Sequence, residues 1–193
     1  VMQLATGGNM LNFGYWGNDD TTLIDAQNRL CNKVGQIAEL DSASSLLDIG
    51  SGLSSPAILW SIMYPNIDIS CVNINYKQLQ HAKKTVKEKI RNSTIHEINS
   101  TSVLLPFLTN SAERIIALES AQHFKPFNNF ISESHRVLKK DGILTFAIPV
   151  VKRKSIIRNL GILALTWSSE HYEQDFVINK TSKKFKLIEK IEI

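Results

Sequence analysis

Leu46-Leu47-Asp48-Ile49-Gly50-Ser51-Gly52-Leu53-Ser54-Ser55-Pro56 is the stretch whose reading decides the fold. The apolar run Leu46–Ile49 has the length and composition of a buried strand, and Gly50-Ser51-Gly52 stops it. Pro56 then sits where proline is tolerated, in the first turn of a helix reading from about Pro56 to Met63. A strand, a glycine corner and a helix in that order make the opening half of a βαβ unit. Glycine lets the backbone approach a ligand closely, and the helix that follows presents free N–H groups at its positive end.

The same alternation continues outward. Ile67–Ile74 is β-branched and strand-like, Tyr76–Arg91 reads as a long helix, and Ile95–Ile98 and Glu113–Leu118 read as strands. Lys125–Lys139 is helical up to the Asp141-Gly142 turn, and Ile143–Pro149 is a strand. Lys154–Thr166 and Glu170–Ser182 read as helices and Phe185–Ile193 as a strand. Before the first strand, Leu23–Leu40 carries apolar residues at helical spacing behind the capping types Asp19, Asp20, Thr21 and Thr22. Alternating strand and helix predicts an α/β fold: a doubly wound, mostly parallel, Rossmann-like sheet with helices on both faces. Residues 1–43 are expected as an N-terminal segment and helix covering the site, and 44–193 as the ligand-binding domain.

Composition is consistent with this. The chain has 193 residues, 43% hydrophobic and 21% charged, enough for one globular domain with a sizeable core. Cys31 and Cys71 lie 40 residues apart with no CxxC or Cys/His spacing, so no disulfide scaffold or zinc site is expected. His81, His96, His135 and His171 show no ligand spacing, and no metal is expected. No apolar run is long enough to span a bilayer, and no signal-peptide pattern is present. A reducing cytoplasm is the expectation, with a monomer or a homodimer. The net charge is +4, with 11 Lys/Arg against 6 Asp/Glu from Lys139 onward and six basic residues against Glu88 in Lys77–Arg91. That bias reads first as a solvated lysine face and second as a surface for anionic partners.

Ligand chemistry narrows at the strand ends, where open α/β sheets bind. A dinucleotide site wants GxGxxG and an acid closing the second strand; position 55 is serine and that strand ends Asn73-Ile74-Asn75. The phosphate-binding GxxxxGK[ST] pattern is absent as well.

Leu46–Gly52 resembles motif I of class I S-adenosylmethionine-dependent methyltransferases. Further pieces follow in the family's order: Leu105-Pro106-Phe107, Glu113–Phe124 (ERIIALESAQHF), Leu138–Leu144 (LKKDGIL) and the early Met10-Leu11-Asn12-Phe13-Gly14-Tyr15-Trp16. The resemblance covers nearly the whole chain. It points to the small-molecule members: the type 11 and cyclopropane-synthase-like branch. The implied cofactor is S-adenosyl-L-methionine, with S-adenosyl-L-homocysteine as product.

By that resemblance Gly50, Ser51 and Gly52 would cradle the methionine portion, with Asp48 acting on its amino group indirectly. Asn73 stands where many relatives carry a ribose-binding acid. Asn73 and Gln78 would hold the ribose through their side-chain amides, with Ile74 among the cofactor-binding residues. Thr101 and Ser102 occupy the adenine position, although the family's usual Asp is missing there. Glu119 opens the fourth-strand loop near the sulfonium, and Tyr15 and Trp16 would close over the cation as aromatic faces. His123 is the candidate base for a hydroxyl acceptor, its unperturbed pKa lying near 6.5. For each of these residues a purely structural role is the competing reading.

The acceptor is expected to be a small molecule methylated on oxygen, nitrogen or carbon. Leu118-Glu119-Ser120-Ala121 replaces the Asn/Asp-Pro-Pro-Tyr/Phe motif of base-modifying relatives, so no nucleic-acid partner is expected. Two other readings stay open: an RNA or protein methyltransferase using the basic face, and a non-catalytic nucleotide-binding relative. The chain stops at what resembles the family's sixth strand, which leaves the final antiparallel strand unaccounted for.

Overall fold

In the computed structural model of the chain, residues 10–17, 22–90, 94–151 and 172–193 are described. The first element is helix α1 (Leu23–Ile37), and a short 3-10 turn, Leu40–Ser42, follows it. Strands and helices then alternate: β1 (Ser45–Ile49), α2 (Ser55–Met63), β2 (Asp68–Asn73), α3 (Tyr76–Lys89), β3 (Ile95–Asn99) and β4 (Ala112–Leu118). Helix α4 (Phe127–Val137) leads directly into β5 (Leu138–Ala147). The short strands β6 (Val150–Val151) and β7 (Tyr172–Glu173) pair in parallel, and α5 (Gln174–Thr181) follows.

Five strands form one parallel sheet in the order β3-β2-β1-β4-β5. The order turns back between β1 and β4, so the crevice for a ligand opens above the carboxyl ends of those two strands. Alternation along each strand divides the core into two layers. Leu46, Ile69, Cys71 and Ile116 face Leu30 and Val34 of α1, Trp60 of α2 and Val86 of α3. Leu47, Ile49, Val72, Ile115 and Ala117 face Phe127, Phe130 and Ile131 of α4 and Val177 of α5.

Local chemistry sets the element ends. Thr22 caps α1: its hydroxyl accepts the Asp25 N–H at 3.2 Å and donates to the Asp25 carboxylate at 2.6 Å. The other three capping candidates, Asp19, Asp20 and Thr21, lie outside the described residues. So does Lys154–Thr166. Asn75 caps α3 by accepting the Gln78 N–H. Asp141 takes φ +65° where the β4–β5 register shifts between Ala112 and Arg114. The Asp141-Gly142 turn is therefore absorbed as a bulge within β5, and α4 ends at Val137 rather than Lys139.

Phe185–Ile193 corrects the sequence reading. Its alternating pattern suits a strand, yet 186–193 has no regular structure, and Leu187, Ile188 and Ile193 are exposed. A strand exists only where a partner edge accepts its ladder, and none does so among the described residues. Phe185 alone packs against the core, edge-on to His135.

Trp60 is the largest fully buried side chain, and its Nε1–H donates to the Cys31 carbonyl at 2.9 Å. Trp60→Ala is expected to lower the unfolding free energy by about 3–5 kcal/mol, through the cavity it leaves and the bond it removes. Urea denaturation measures this; a loss below about 1 kcal/mol would show that α1 and α2 do not depend on it.

Candidate functional site

Asp48 comes one residue before the end of β1, on the face shared with Cys31 and Cys71. It is 2% exposed, and its Oδ2 has no hydrogen-bond partner among the described residues. Burial pushes its pKa up to about 7. Beyond it the chain turns: the N–H groups of Gly50 and Ser51 both donate to the Val72 carbonyl, at 2.7 and 3.2 Å. Gly50 has φ +76°, and a Cβ added there would lie 2.6 Å from the Ser120 Cβ. Ser120 in turn donates from Oγ to the Ile49 carbonyl at 2.7 Å. Only glycine satisfies both the backbone angle and the approach.

At the end of β2 the side-chain amides interlock. Asn73 Nδ2 donates to the Gly52 carbonyl at 3.1 Å and to Gln78 Oε1 at 2.9 Å. Asn99 donates from the end of β3 to the carbonyls of Asn73 and Ile74. These bonds occupy the Asn73 amide and the Gln78 oxygen. The Gln78 Nε2 donors make no hydrogen bond among the described residues.

After β4, Glu119 adopts φ +47°, and its N–H donates to the Ala147 carbonyl. Its carboxylate accepts the Phe13 N–H at 2.6 Å. Burial raises its pKa, partly offset by that bond. Gln122 donates from Nε2 to the Glu119 carbonyl at 2.7 Å, which leaves its buried Oε1 without a partner among the described residues. Asn12 is similar: Nδ2 reaches the Cys31 sulfur at 3.6 Å, and its buried Oδ1 has no partner there.

These elements enclose a cavity of about 570 Å³, within the range of about 300–1,000 Å³ usual for small-molecule sites. Eleven of the expected residues line it: Asp48, Gly50, Ser51, Gly52, Asn73, Ile74, Gln78, Thr101, Ser102, Glu119 and His123. Tyr15 and Trp16 do not. Tyr15 packs against the α1–α2 core layer, and Trp16 is 56% exposed. From this segment the lining takes Leu11, Asn12 and Phe13 instead, because φ +85° at Gly14 turns the chain onto α1. The lining also includes Gln122 and Lys125, which sequence reasoning passed over. The signal for Gln122 was its place beside His123 in the ESAQHF segment. Among the described residues no three His, Cys, Asp or Glu side chains form a metal cluster.

Residues 47–146 match the family described as "Methyltransferase domain". The chain is similar to erythromycin 3''-O-methyltransferase of Saccharopolyspora erythraea, 25% identical over 142 residues that cover 74% of this chain and 46% of that protein. It is 29% identical over 138 residues to 27-O-demethylrifamycin SV methyltransferase of Amycolatopsis mediterranei, covering 71% of this chain and 50% of that one. The chain thus spans about half the length of these curated relatives. Among solved structures, the [4+2]-cyclase SpnF superposes with a TM-score of 0.82 at 23% identity, over 94% of this chain and 66% of its own. That likeness is one of fold.

Asp48 has a folded-state pKa of about 7 against about 3.9 when unfolded. The folded state therefore holds the proton more tightly. Its contribution to stability is full below pH 4 and is lost as pH rises towards 7. Without ligand, Asp48→Asn is expected to flatten the dependence of the urea midpoint on pH between 5 and 8. Parallel curves for the two proteins would mean that Asp48 is already ionised at pH 5.

Proposed function

The chain belongs to the S-adenosylmethionine-dependent methyltransferase family, and from that premise we propose that its cavity binds S-adenosylmethionine and methylates a small-molecule acceptor on oxygen, nitrogen or carbon. The observation that carries this reading is the glycine corner beside the buried carboxylate of Asp48, whose Oδ2 has no partner among the described residues, at the turning point of the sheet. The residues present suit the cofactor. Gly50 and Gly52 offer backbone where a side chain would intrude. Asp48 and Glu119 supply negative charge for a cationic ligand. Gln78 offers amide donors to sugar hydroxyls where relatives use a carboxylate. Thr101 and Ser102 flank the space left for the base.

Bound S-adenosylmethionine supplies a methyl group activated by its sulfonium; the protein's contribution is orientation and exclusion of water. The N-terminal segment, through Leu11 and Phe13, shields one side of the cavity. For a hydroxyl acceptor His123, at the cavity lining, takes the proton. Relatives named erythromycin 3''-O-methyltransferase and 27-O-demethylrifamycin SV methyltransferase agree with a hydroxyl acceptor. Of the segment 1–43, residues 10–17 and helix α1 act with the sheet domain as the cover of the site; residues 1–9 and 18–21 lie outside the described residues. No described helix is long and apolar enough to cross a membrane.

Titration calorimetry with S-adenosylhomocysteine tests the site. Wild-type protein is expected to bind, and Gln78→Ala to weaken binding by roughly 10-fold, the loss of about one net hydrogen bond. Equal affinities would remove the amide from the site. With a labelled methyl donor and a panel of hydroxylated and amine metabolites, His123→Ala is expected to slow turnover of a hydroxyl acceptor about 10²–10⁴-fold with cofactor affinity intact. An unchanged rate would exclude the base role.

A further inference from the structure

The segment from Met10 to Trp16 is fastened on two sides. On the α1 side, Gln27 Nε2 donates to the carbonyls of Asn12 at 2.6 Å and Met10 at 3.3 Å, and the Tyr15 N–H donates to the Ala26 carbonyl at 2.8 Å. Gly14 permits this contact, since a Cβ there would lie 2.7 Å from the Ala26 carbonyl carbon. On the sheet side, the Phe13 N–H donates to the Glu119 carboxylate at 2.6 Å, across 106 residues of sequence. Glu119 itself is rigidly placed. Its backbone sits in the left-handed region, its N–H is held by Ala147 and its carbonyl by Gln122. A residue in that conformation persists where its surroundings over-determine it.

We infer that Glu119 is a positioning residue: it ties the N-terminal segment to the β4 loop and so builds the cavity wall formed by Leu11, Asn12 and Phe13. A carboxylate accepting a backbone N–H makes a charge-assisted bond, stronger than a neutral pair. Glu119 lies one residue beyond β4, an interior strand paired with both β1 and β5, so the tie fastens to the sheet a segment that has no ladder of its own. Ligand affinity then depends on the order of this segment as well as on direct contacts. Gln27 belongs to the same device from the opposite side. It is 1% exposed and absent from the cavity lining, so it can influence a ligand only through the segment it holds.

The inference predicts coupled effects at two sites. By hydrogen-exchange mass spectrometry without ligand, Glu119→Ala is expected to speed exchange of peptides covering residues 10–17 about 10–100-fold, with β1 and β4 peptides unchanged. Glu119→Gln, whose amide oxygen still accepts the Phe13 N–H, is expected to restore most of that protection. Gln27→Met is expected to loosen the same peptides and, on the reading that the cavity binds S-adenosylhomocysteine, to weaken its affinity about 10-fold. Combining it with Glu119→Ala is expected to give less than the product of the two effects. Unchanged exchange at 10–17 in Glu119→Ala would overturn the tie. Full affinity in a Gln27→Met protein whose segment exchanges faster would overturn its link to binding. If wild-type protein fails to bind S-adenosylhomocysteine, the cofactor reading falls, while the exchange arm still decides whether Glu119 holds the segment.

Discussion

The corner after β1 is pressed against the loop after β4, and the rest of the site depends on that contact. Gly50 turns with a positive φ where a Cβ would fall 2.6 Å from Ser120, and the Ser120 hydroxyl returns a hydrogen bond to Ile49. The two strands at the sheet's turning point are thereby locked at their carboxyl ends. The crevice above them keeps its shape without side chains filling it. Asp48 lies beneath the corner, buried and with an unpartnered oxygen, a costly placement for a carboxylate. Such a group fits a site that a cation completes better than a core held together for stability alone.

Around this corner the polar groups sort by what they can still do. Asn73 is tied to Gly52 and Gln78, so it shapes the β2 end; Gln78 keeps its amide donors. On the other wall, Asn12 and Gln122 keep acceptor oxygens. Lys125 and His123 share the lining with Asp48 and Glu119, so basic and acidic side chains meet in the one cavity.

The N-terminal segment shows why motif and geometry are read separately. Phe13-Gly14-Tyr15-Trp16 stands out in the sequence by its aromatics, yet the glycine in it turns the chain so that Tyr15 joins the core layer and Trp16 meets solvent. The cavity receives Leu11, Asn12 and Phe13. A backbone N–H from this stretch, invisible in any residue pattern, finds Glu119. Likewise Lys139–Gly142 reads as a helix end and turn, but a strand register shift absorbs it.

By itself the sequence determined the alternation of strands and helices and the glycine corner after β1, because hydrophobic period and turn chemistry are local properties written in residue order; eleven of the lining residues were expected from the resemblance to a known family. Tertiary structure alone decided the partners. Glu119 holds Phe13, Gln122 and Asn12 keep orphan oxygens, and 186–193 remains irregular despite its pattern. Each of these depends on what a distant segment offers. A hydrogen bond spanning 106 residues, or a strand awaiting an edge, is settled by packing in three dimensions rather than by neighbours along the chain.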